Sequence, residues 1–213
     1  IVIENQKTVT NLKLIGEGSY AQVFKYFDDF YKKPFALKRA KKDLNGKEIE
    51  RFKREFEQMN SLKSPYILEV FSYNDKNQEY IMDFMDISLN DYIFANNTKL
   101  SFQEKKKLGN QIIQAFRYIH SKKLLHRDIN PKNILLKLYD DVPVVKIADF
   151  GLVRTHNSSL TSLNTEFKGY LNDPNLLVEG FKNYDILHET YAITRILFFV
   201  LTGKTNFDKV RPN

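Results

Sequence analysis

The chain has 213 residues, a net charge of +7 and no cysteine, and this length is enough for one sizeable core or two small lobes. The lack of cysteine excludes a disulfide framework, and the most apolar stretch, residues 196–201, is too short to cross a membrane, so a cytoplasmic setting without a membrane segment is expected. Lysines are scattered without interleaved aromatic residues, which predicts a solvated surface and attraction to nucleotide phosphates, and no nucleic-acid interface.

A hairpin is predicted near the start of the chain. Residues 12–15 and 22–26 have the apolar character of two strands, and the sequence GEGSYA joins them. Gly16 and Gly18 at such a turn would let backbone amides approach phosphate oxygens closely. An ordinary hairpin is the alternative, whereas a Walker phosphate loop is excluded because no Gly-Lys-Ser/Thr sequence follows.

A third strand and a helix are predicted next. Residues 35–38 form a short apolar run that ends in Lys38, which alone would be consistent with an exposed lysine on an edge strand. Over residues 47–62 the apolar side chains recur at helical spacing, at Ile49, Phe52, Phe56, Met59 and Leu62. Glu55 borders this apolar face, whereas Glu57 points away from it.

The elements then change from strands to helices. Residues 66–71 and 79–85 are typical of two strands, and a short helix is predicted over residues 88–95. Ser101 and Glu104 form a capping box, and the helix behind it carries one apolar stripe, at Leu108, Ile112, Ala115, Phe116 and Ile119. This order predicts an α+β fold in two lobes with a site between them.

Two short apolar runs, residues 134–136 and 144–148, predict paired strands joined by a turn over residues 139–143. Such a hairpin would hold Asn133 and Asp149 at the same end. An amide oxygen and a carboxylate that converge in this way suit a hard cation such as Mg²⁺.

The loop before this hairpin, HRDINPKN at residues 126–133, carries a further carboxylate on Asp128. A free carboxylate beside a metal site could take a proton from an attacking hydroxyl. The loop and the metal ligands together are therefore consistent with a cation that holds substrate phosphates beside a proton acceptor.

The loop HRDINPKN, followed by Asp149-Phe150-Gly151, resembles the catalytic and magnesium loops of the eukaryotic-type protein kinases. The resemblance implies a two-lobed α+β fold, with an N-lobe of antiparallel sheet and C-helix over residues 1–85. It implies a mainly helical C-lobe over residues 86–213 that lacks the family's last helices. Residues 152–168 resemble an activation segment, with candidate phosphosites at Thr155, Ser158, Ser159, Thr161, Ser162 and Thr165.

The resemblance also implies ATP and Mg²⁺ as cofactors. Asp128 is expected to deprotonate the acceptor hydroxyl, and Lys132 to neutralise charge on the transferring phosphate. Lys38, held by Glu55, is expected to bind the α- and β-phosphates. Nucleotide contacts are implied at Gly16, Gly18, Val23, Ala36, Lys38, Met82, Asp83, Met85 and Leu135, and metal ligands at Asn133 and Asp149.

The chain departs from the family pattern at several positions. Ala21 replaces the third glycine of the Gly-rich loop. Asn130 replaces the lysine typical of Ser/Thr kinases, while Lys132 lies where many tyrosine kinases have arginine. Phe167 replaces the threonine that interacts with the missing lysine, so the choice between Ser/Thr and Tyr substrates stays open. Glu189 lies where the family has an aspartate that anchors the catalytic loop.

Three functions fit these residues. The first is a protein kinase, Ser/Thr more than Tyr, that acts on a protein substrate and phosphorylates itself. The second is a pseudokinase or scaffold, favoured by the altered segment after Tyr170 and by the missing helices. The third is a small-molecule phosphotransferase of the aminoglycoside-kinase type, which also carries an H-x-D-x-x-x-x-N loop. Self-association, or a partner that covers the incomplete C-lobe, is an expected interaction.

Overall fold

The computed structural model describes residues 11–140, 142–152, 154–155 and 171–205. The chain folds into two compact units. The first extends to Asn60 and resumes over Glu69–Phe84, and the second consists of Ser61–Leu68 and the chain from Met85 onward.

The described residues of the first unit form a five-stranded antiparallel sheet and one helix. The spatial order of the strands is β1-β2-β3-β5-β4. The elements are β1 Lys13–Glu17, β2 Ala21–Asp28, β3 Lys33–Ala40, α1 Gly46–Ser61, β4 Val70–Asn74 and β5 Glu79–Asp83. This is the antiparallel sheet with one helix that the sequence predicts for the first part of the chain.

Helix α1 packs its apolar stripe on aromatic residues of the sheet. Phe52 and Phe56 each contact Tyr73 and Tyr80, with ring centroids 5.2 to 6.2 Å apart. The helix begins after Asn45, whose side chain accepts the backbone N–H groups of Lys47 and Glu48. Asparagine at this position satisfies amides that have no partner within the helix, and so fixes where α1 starts.

The second unit is mainly helical. Its helices are α2 Leu89–Asn96, α3 Phe102–Ser121, α4 Leu176–Glu179, a 3₁₀ turn Phe181–Asn183 and α5 Ile186–Thr202. Its strands are β6 Ile87–Ser88, β7 Leu124–Leu125, β8 Ile134–Tyr139, β9 Val142–Ile147 and β10 Arg154–Thr155. The predicted stripe of α3 is fully buried, and α3 packs against α5 and β9. The capping box of Ser101 and Glu104 is present.

The hairpin of β8 and β9 corrects one prediction. The turn expected over residues 139–143 is wrong at both ends, because Tyr139 belongs to β8 and Val142 begins β9. The side chain of Gln111 in α3 explains the longer strand: it donates to Pro143 O at 3.0 Å and accepts Val145 N at 2.9 Å. Proline is tolerated here because β9 lies at the edge of its sheet.

A second correction concerns the strand predicted over residues 66–71. In the second unit, Leu68 N donates to Ile147 O at 2.9 Å, and Ile147 N donates to Tyr66 O at 2.8 Å. These residues therefore make a parallel bridge to β9 at Ile67. Because their backbone groups are used in this way, β4 begins only at Val70.

None of the helices in the described parts of the chain is long and apolar enough to cross a membrane.

The end of α5 allows a test of backbone strain and side-chain contact. Gly203 has a φ of 70°, and a Cβ there would lie 2.5 Å from Asn97 Nδ2. Gly180 has a φ of 75° and a ψ of 153°, a combination that essentially only glycine adopts, and a Cβ there would have no neighbour within 4 Å. We expect Gly180→Ala to reduce the free energy of unfolding by about 1–3 kcal/mol through backbone strain alone. We expect Gly203→Ala to reduce it by about 2–4 kcal/mol, because strain and the contact with Asn97 add.

Urea unfolding of the two variants would measure these losses. A loss below about 1 kcal/mol in Gly203→Ala would contradict the prediction, since the added Cβ would then meet Asn97 without cost.

Candidate active site

The sheet of the first unit places several predicted nucleotide-binding residues on one face. Val23 in β2 lies opposite Lys38 in β3, and Ala36 in β3 lies opposite Met82 in β5. Directly opposed residues point to the same side of an antiparallel sheet, and Lys38 and Ala36 are two positions apart. Gly16 pairs with Val23 at the start of this face.

The Gly-rich loop between β1 and β2 is closed by Gly18 N, which donates to Ala21 O at 2.8 Å. Glu17 in this loop pairs with Lys41 Nζ at 2.7 Å, and the guanidinium of Arg51 in α1 lies 5.0 Å from the ring centre of Tyr20. Ala21, which replaces the family's third glycine, is the first residue of β2 and is buried. Alanine fits because this position belongs to the strand and has no need of glycine's conformational freedom.

An ion pair connects β3 to α1. Lys38 Nζ lies 2.6 Å from Glu55 Oε1, and the side chains are 17% and 6% exposed. Glu57 is exposed to solvent. The structure therefore contains the pair that the sequence favours, between Lys38 and Glu55, and the lysine is the member with more access to solvent.

The implied nucleotide contacts Met82, Asp83 and Met85 follow at the end of β5, in a segment that we call the hinge. Met82 is buried, and Asp83 N donates to Glu69 O at 3.0 Å. The carboxylate of Asp83 accepts a hydrogen bond from Lys33 Nζ at 3.0 Å. Met85, at which the chain returns to the second unit, is half-buried.

In the second unit the loop HRDINPKN is buried at its start, where His126, Arg127 and Asp128 are 1%, 5% and 7% exposed. Glu189 in α5 supports this part of the loop from a fully buried position. Its carboxylate accepts His126 N and Arg127 N, each at 3.0 Å, and contacts His120 Nε2 at 2.8 Å. Arg127 has a φ of 65°, so the loop needs support to keep this conformation.

Glutamate thus reaches the loop amides at the position where the resemblance implies an aspartate. Tyr184 lies beside the same carboxylate. The pKa of Tyr184 is raised well above its usual value, mainly by burial and next by the negative charge of Glu189. Its hydroxyl therefore stays protonated. Arg127 donates to Phe181 O at 2.7 Å, and its guanidinium lies over the ring of Tyr184.

The two predicted metal ligands lie at the same end of the β8–β9 hairpin. Asn133 precedes Ile134, Asp149 follows shortly after Ile147, and these two isoleucines are paired. Asn133 Nδ2 donates to Asp128 O at 3.0 Å, and this orientation leaves its carbonyl oxygen for a cation. An amide oxygen and a carboxylate at one end of a hairpin fit the ligand preference of Mg²⁺.

His126 ties this loop to the hairpin. Its Nε2 lies 3.0 Å from Ala148 O, and its ring contacts Phe150 with centroids 4.9 Å apart. Because a carbonyl oxygen can only accept, Nε2 carries the proton, and Nδ1 accepts Asp128 N at 3.3 Å. The structure therefore brings Asp128, Asn133 and the chain around Asp149 into one hydrogen-bonded group.

Two further site predictions lie nearby in the second unit. Lys132 is exposed, and its amide donates to Asn130 Oδ1 at 2.9 Å. Asn130, which replaces the lysine of Ser/Thr kinases, therefore shapes the turn that carries Lys132. Leu135 is half-buried in β8, where it pairs with Ser88 of β6.

Most of the predicted activation segment over residues 152–168 lies outside the described residues, namely residue 153 and residues 156–168, and so do its candidate phosphosites after Thr155. Two polar contacts of the site were not predicted from the sequence. His120 and Tyr80 each bond to a buried carboxylate, Glu189 and Glu55 respectively. His120 follows the apolar stripe of α3 by one position and could have been noticed, but Tyr80 is found only through strand register.

Comparison with known proteins agrees with this arrangement. The protein kinase domain family model matches residues 9–213. The chain is 31% identical over 206 residues to serine/threonine-protein kinase PrkC of Bacillus subtilis, covering 92% of this chain and 31% of the relative. It is 32% identical over 206 residues to the probable serine/threonine-protein kinase PknB of Lactococcus lactis, covering 92% and 32%. It is 30% identical over 202 residues to serine/threonine-protein kinase 36 of Pongo abelii, covering 92% and 15%.

The chain therefore belongs to the protein kinase domain family. It spans no more than about a third of the length of these three relatives.

Proposed function

We propose that this domain is a protein kinase of the Ser/Thr type that transfers the γ-phosphate of ATP to a protein hydroxyl. The observation that carries the proposal is the buried ion pair between Lys38 and Glu55, 2.6 Å long. A positioned lysine in a sheet beside a glycine-rich turn is what a phosphate-binding site requires. The names of the relatives support the Ser/Thr type.

In this proposal the nucleotide is bound mainly by residues of the first unit, and the family resemblance adds Met85 and Leu135 of the second unit. The amides around Gly16 and Gly18 approach the phosphates, and Lys38 binds the α- and β-phosphates while Glu55 holds its ammonium group. The base is assigned to apolar side chains, namely Val23, Ala36, Met82 and Leu135. Backbone groups of Asp83 and Met85 are assigned to the polar edge of adenine. Because Asp83 N already donates to Glu69 O, Asp83 would contribute its carbonyl oxygen.

The second unit is proposed to supply the chemistry. Asp128 orients the acceptor hydroxyl and takes its proton, and Lys132 neutralises charge on the phosphoryl group. Asn133 and Asp149 would hold Mg²⁺, which when bound neutralises charge on the phosphates. The hydrogen-bonded group around Asp128 supports this role because it fixes the loop before substrate arrives.

Autophosphorylation is also proposed, since hydroxyl residues are frequent in residues 152–168. Self-association, or a partner that covers the C-lobe, stays a prediction from the family resemblance. A cytoplasmic location stays a prediction from composition.

The test is to incubate the chain with labelled ATP, Mg²⁺ and a general protein substrate, and then to map the labelled residues. We expect phosphoserine or phosphothreonine on protein, and loss of label in Lys38→Met, which removes the ammonium group but keeps a flexible side chain. Nucleotide binding without any label would favour a pseudokinase, and label on a small molecule alone would favour the aminoglycoside-kinase type. Either outcome would overturn the proposal.

A further inference from the structure

Tyr80 makes a buried polar contact with the ion pair that carries the proposed function. It lies in β5 directly opposite Lys38 in β3 and is 1% exposed. Its hydroxyl donates to Glu55 Oε1 at 2.8 Å, and the same oxygen lies 2.6 Å from Lys38 Nζ. One carboxylate oxygen is thus held by both an ammonium group and a phenol.

The position of this hydroxyl is set by the core of the first unit. The ring of Tyr80 packs between Phe52 and Phe56 of α1, with centroids 5.2 and 5.6 Å away. Lys38 Nζ lies 5.9 Å from the centre of the same ring. Because the ring is enclosed, the hydroxyl cannot move far from Glu55, and it defines where the carboxylate sits.

A buried ion pair needs such a partner. Taking a carboxylate and an ammonium group out of water is costly, and their attraction offsets this only when geometry is good and further hydrogen bonds are made. Glu55 also has a long side chain with rotatable bonds that would otherwise sample several positions. A second donor on Oε1 favours the one position in which the carboxylate meets Lys38.

We propose that Tyr80 is a positioning residue for the phosphate-binding lysine, acting through Glu55. This inference rests on the proposed function and adds to it a residue that does not touch the nucleotide. Lys38 keeps its place because Glu55 does, and Glu55 keeps its place because the Tyr80 hydroxyl is fixed in the core. A phenylalanine would fill the same space and lose the hydrogen bond to Glu55.

The first unit contains a matched control in Tyr73. Its ring packs on the same Phe52 and Phe56, with centroids 6.2 and 5.3 Å away, and its hydroxyl donates to Gln78 Oε1 at 2.7 Å. Tyr73→Phe therefore removes a phenolic hydrogen bond from the same aromatic cluster without removing a donor to Glu55.

We expect Tyr80→Phe to lower kcat/KM for ATP about tenfold, because a hydrogen bond to a charged group is typically worth at least that factor. Tyr73→Phe should stay within about twofold of the wild type. Urea unfolding of both variants gives the fraction of folded protein, and each rate is divided by that fraction. A loss of folded protein is then not mistaken for a loss of activity.

A double variant separates positioning from a general structural effect. In a Glu55→Ala background the partner of the Tyr80 hydroxyl is absent, so adding Tyr80→Phe should lower kcat/KM no further. Losses that multiply in the double variant would overturn the inference, as would a Tyr80→Phe enzyme equal to the wild type.

A second test does not depend on phosphate transfer. If the wild type transfers no phosphate, the proposed function fails, but ATP and Mg²⁺ that bind the folded protein still raise the urea midpoint. We expect this rise in midpoint to be smaller in Tyr80→Phe than in Tyr73→Phe, and equal rises in the two variants would overturn the inference.

Discussion

Asp128→Asn is expected to reduce phosphate transfer by about 10²–10⁴-fold while the nucleotide still binds. Asparagine has nearly the same shape as aspartate, but its amide cannot take the proton of an acceptor hydroxyl. The loop should keep its backbone conformation, because Glu189 accepts the amides of His126 and Arg127, and His126 accepts the amide of Asp128, and these three bonds do not use the Asp128 carboxylate. In this prediction the rate falls because the proton acceptor is lost, whereas the fold of the loop is kept.

The measurement pairs a transfer assay with calorimetric titration of ATP in the presence of Mg²⁺. Asp75→Asn serves as a control, since Asp75 is an exposed carboxylate that pairs with Lys53 on the surface. Such surface pairs contribute little, and this variant should match the wild type. An Asp128→Asn enzyme with normal turnover would show that another group accepts the proton, and the assignment of Asp128 would then be wrong.

Glu189→Leu is expected to reduce the free energy of unfolding by about 3–5 kcal/mol, because it removes one side of a buried polar network. Leucine fills similar space but leaves His126 N and Arg127 N without their acceptor. Each buried donor left unsatisfied costs about 1–3 kcal/mol. The strained φ of Arg127 would then lose the contact that maintains it.

Urea unfolding measures this loss, and Thr190→Ala is the matched control on the next residue of α5. Thr190 is exposed and bonds only locally in the described structure, to Ile186 O, so its variant should stay within about 0.5 kcal/mol of the wild type. Glu189→Asp keeps the carboxylate but shortens its reach, and an intermediate loss is expected. A Glu189→Leu protein as stable as Thr190→Ala would mean that the loop amides find other acceptors.

Several elements of both units could be predicted from the sequence because their signals are local. Helical spacing of apolar residues placed α1 and α3, and the capping box marked the start of α3. The apolar face of α1 also indicated that Glu55 and not Glu57 would pair with Lys38, since only Glu55 borders that face. The residues of the catalytic loop are contiguous, so their order could be matched to a family without knowledge of the fold.

Strand boundaries were less predictable because they depend on pairing partners far along the chain. The turn expected over residues 139–143 is shorter because Gln111, about 30 positions earlier in the chain, binds the backbone of β9. The strand expected from residue 66 begins later because Ile67 bridges to Ile147. Apolar runs indicate that strands exist, but hydrogen-bond partners decide where they start and end.

The sequence by itself determined what kind of fold the chain adopts and which residues are proposed to carry the chemistry, because composition, periodicity and contiguous motifs are properties of the chain alone. Only the tertiary structure decided how those residues are held. Tyr80 meets Glu55 through the register of β3 and β5, and Glu189 reaches the loop amides through the packing of α5. Contacts of this kind join residues 25 to 63 positions apart, and no local pattern encodes them.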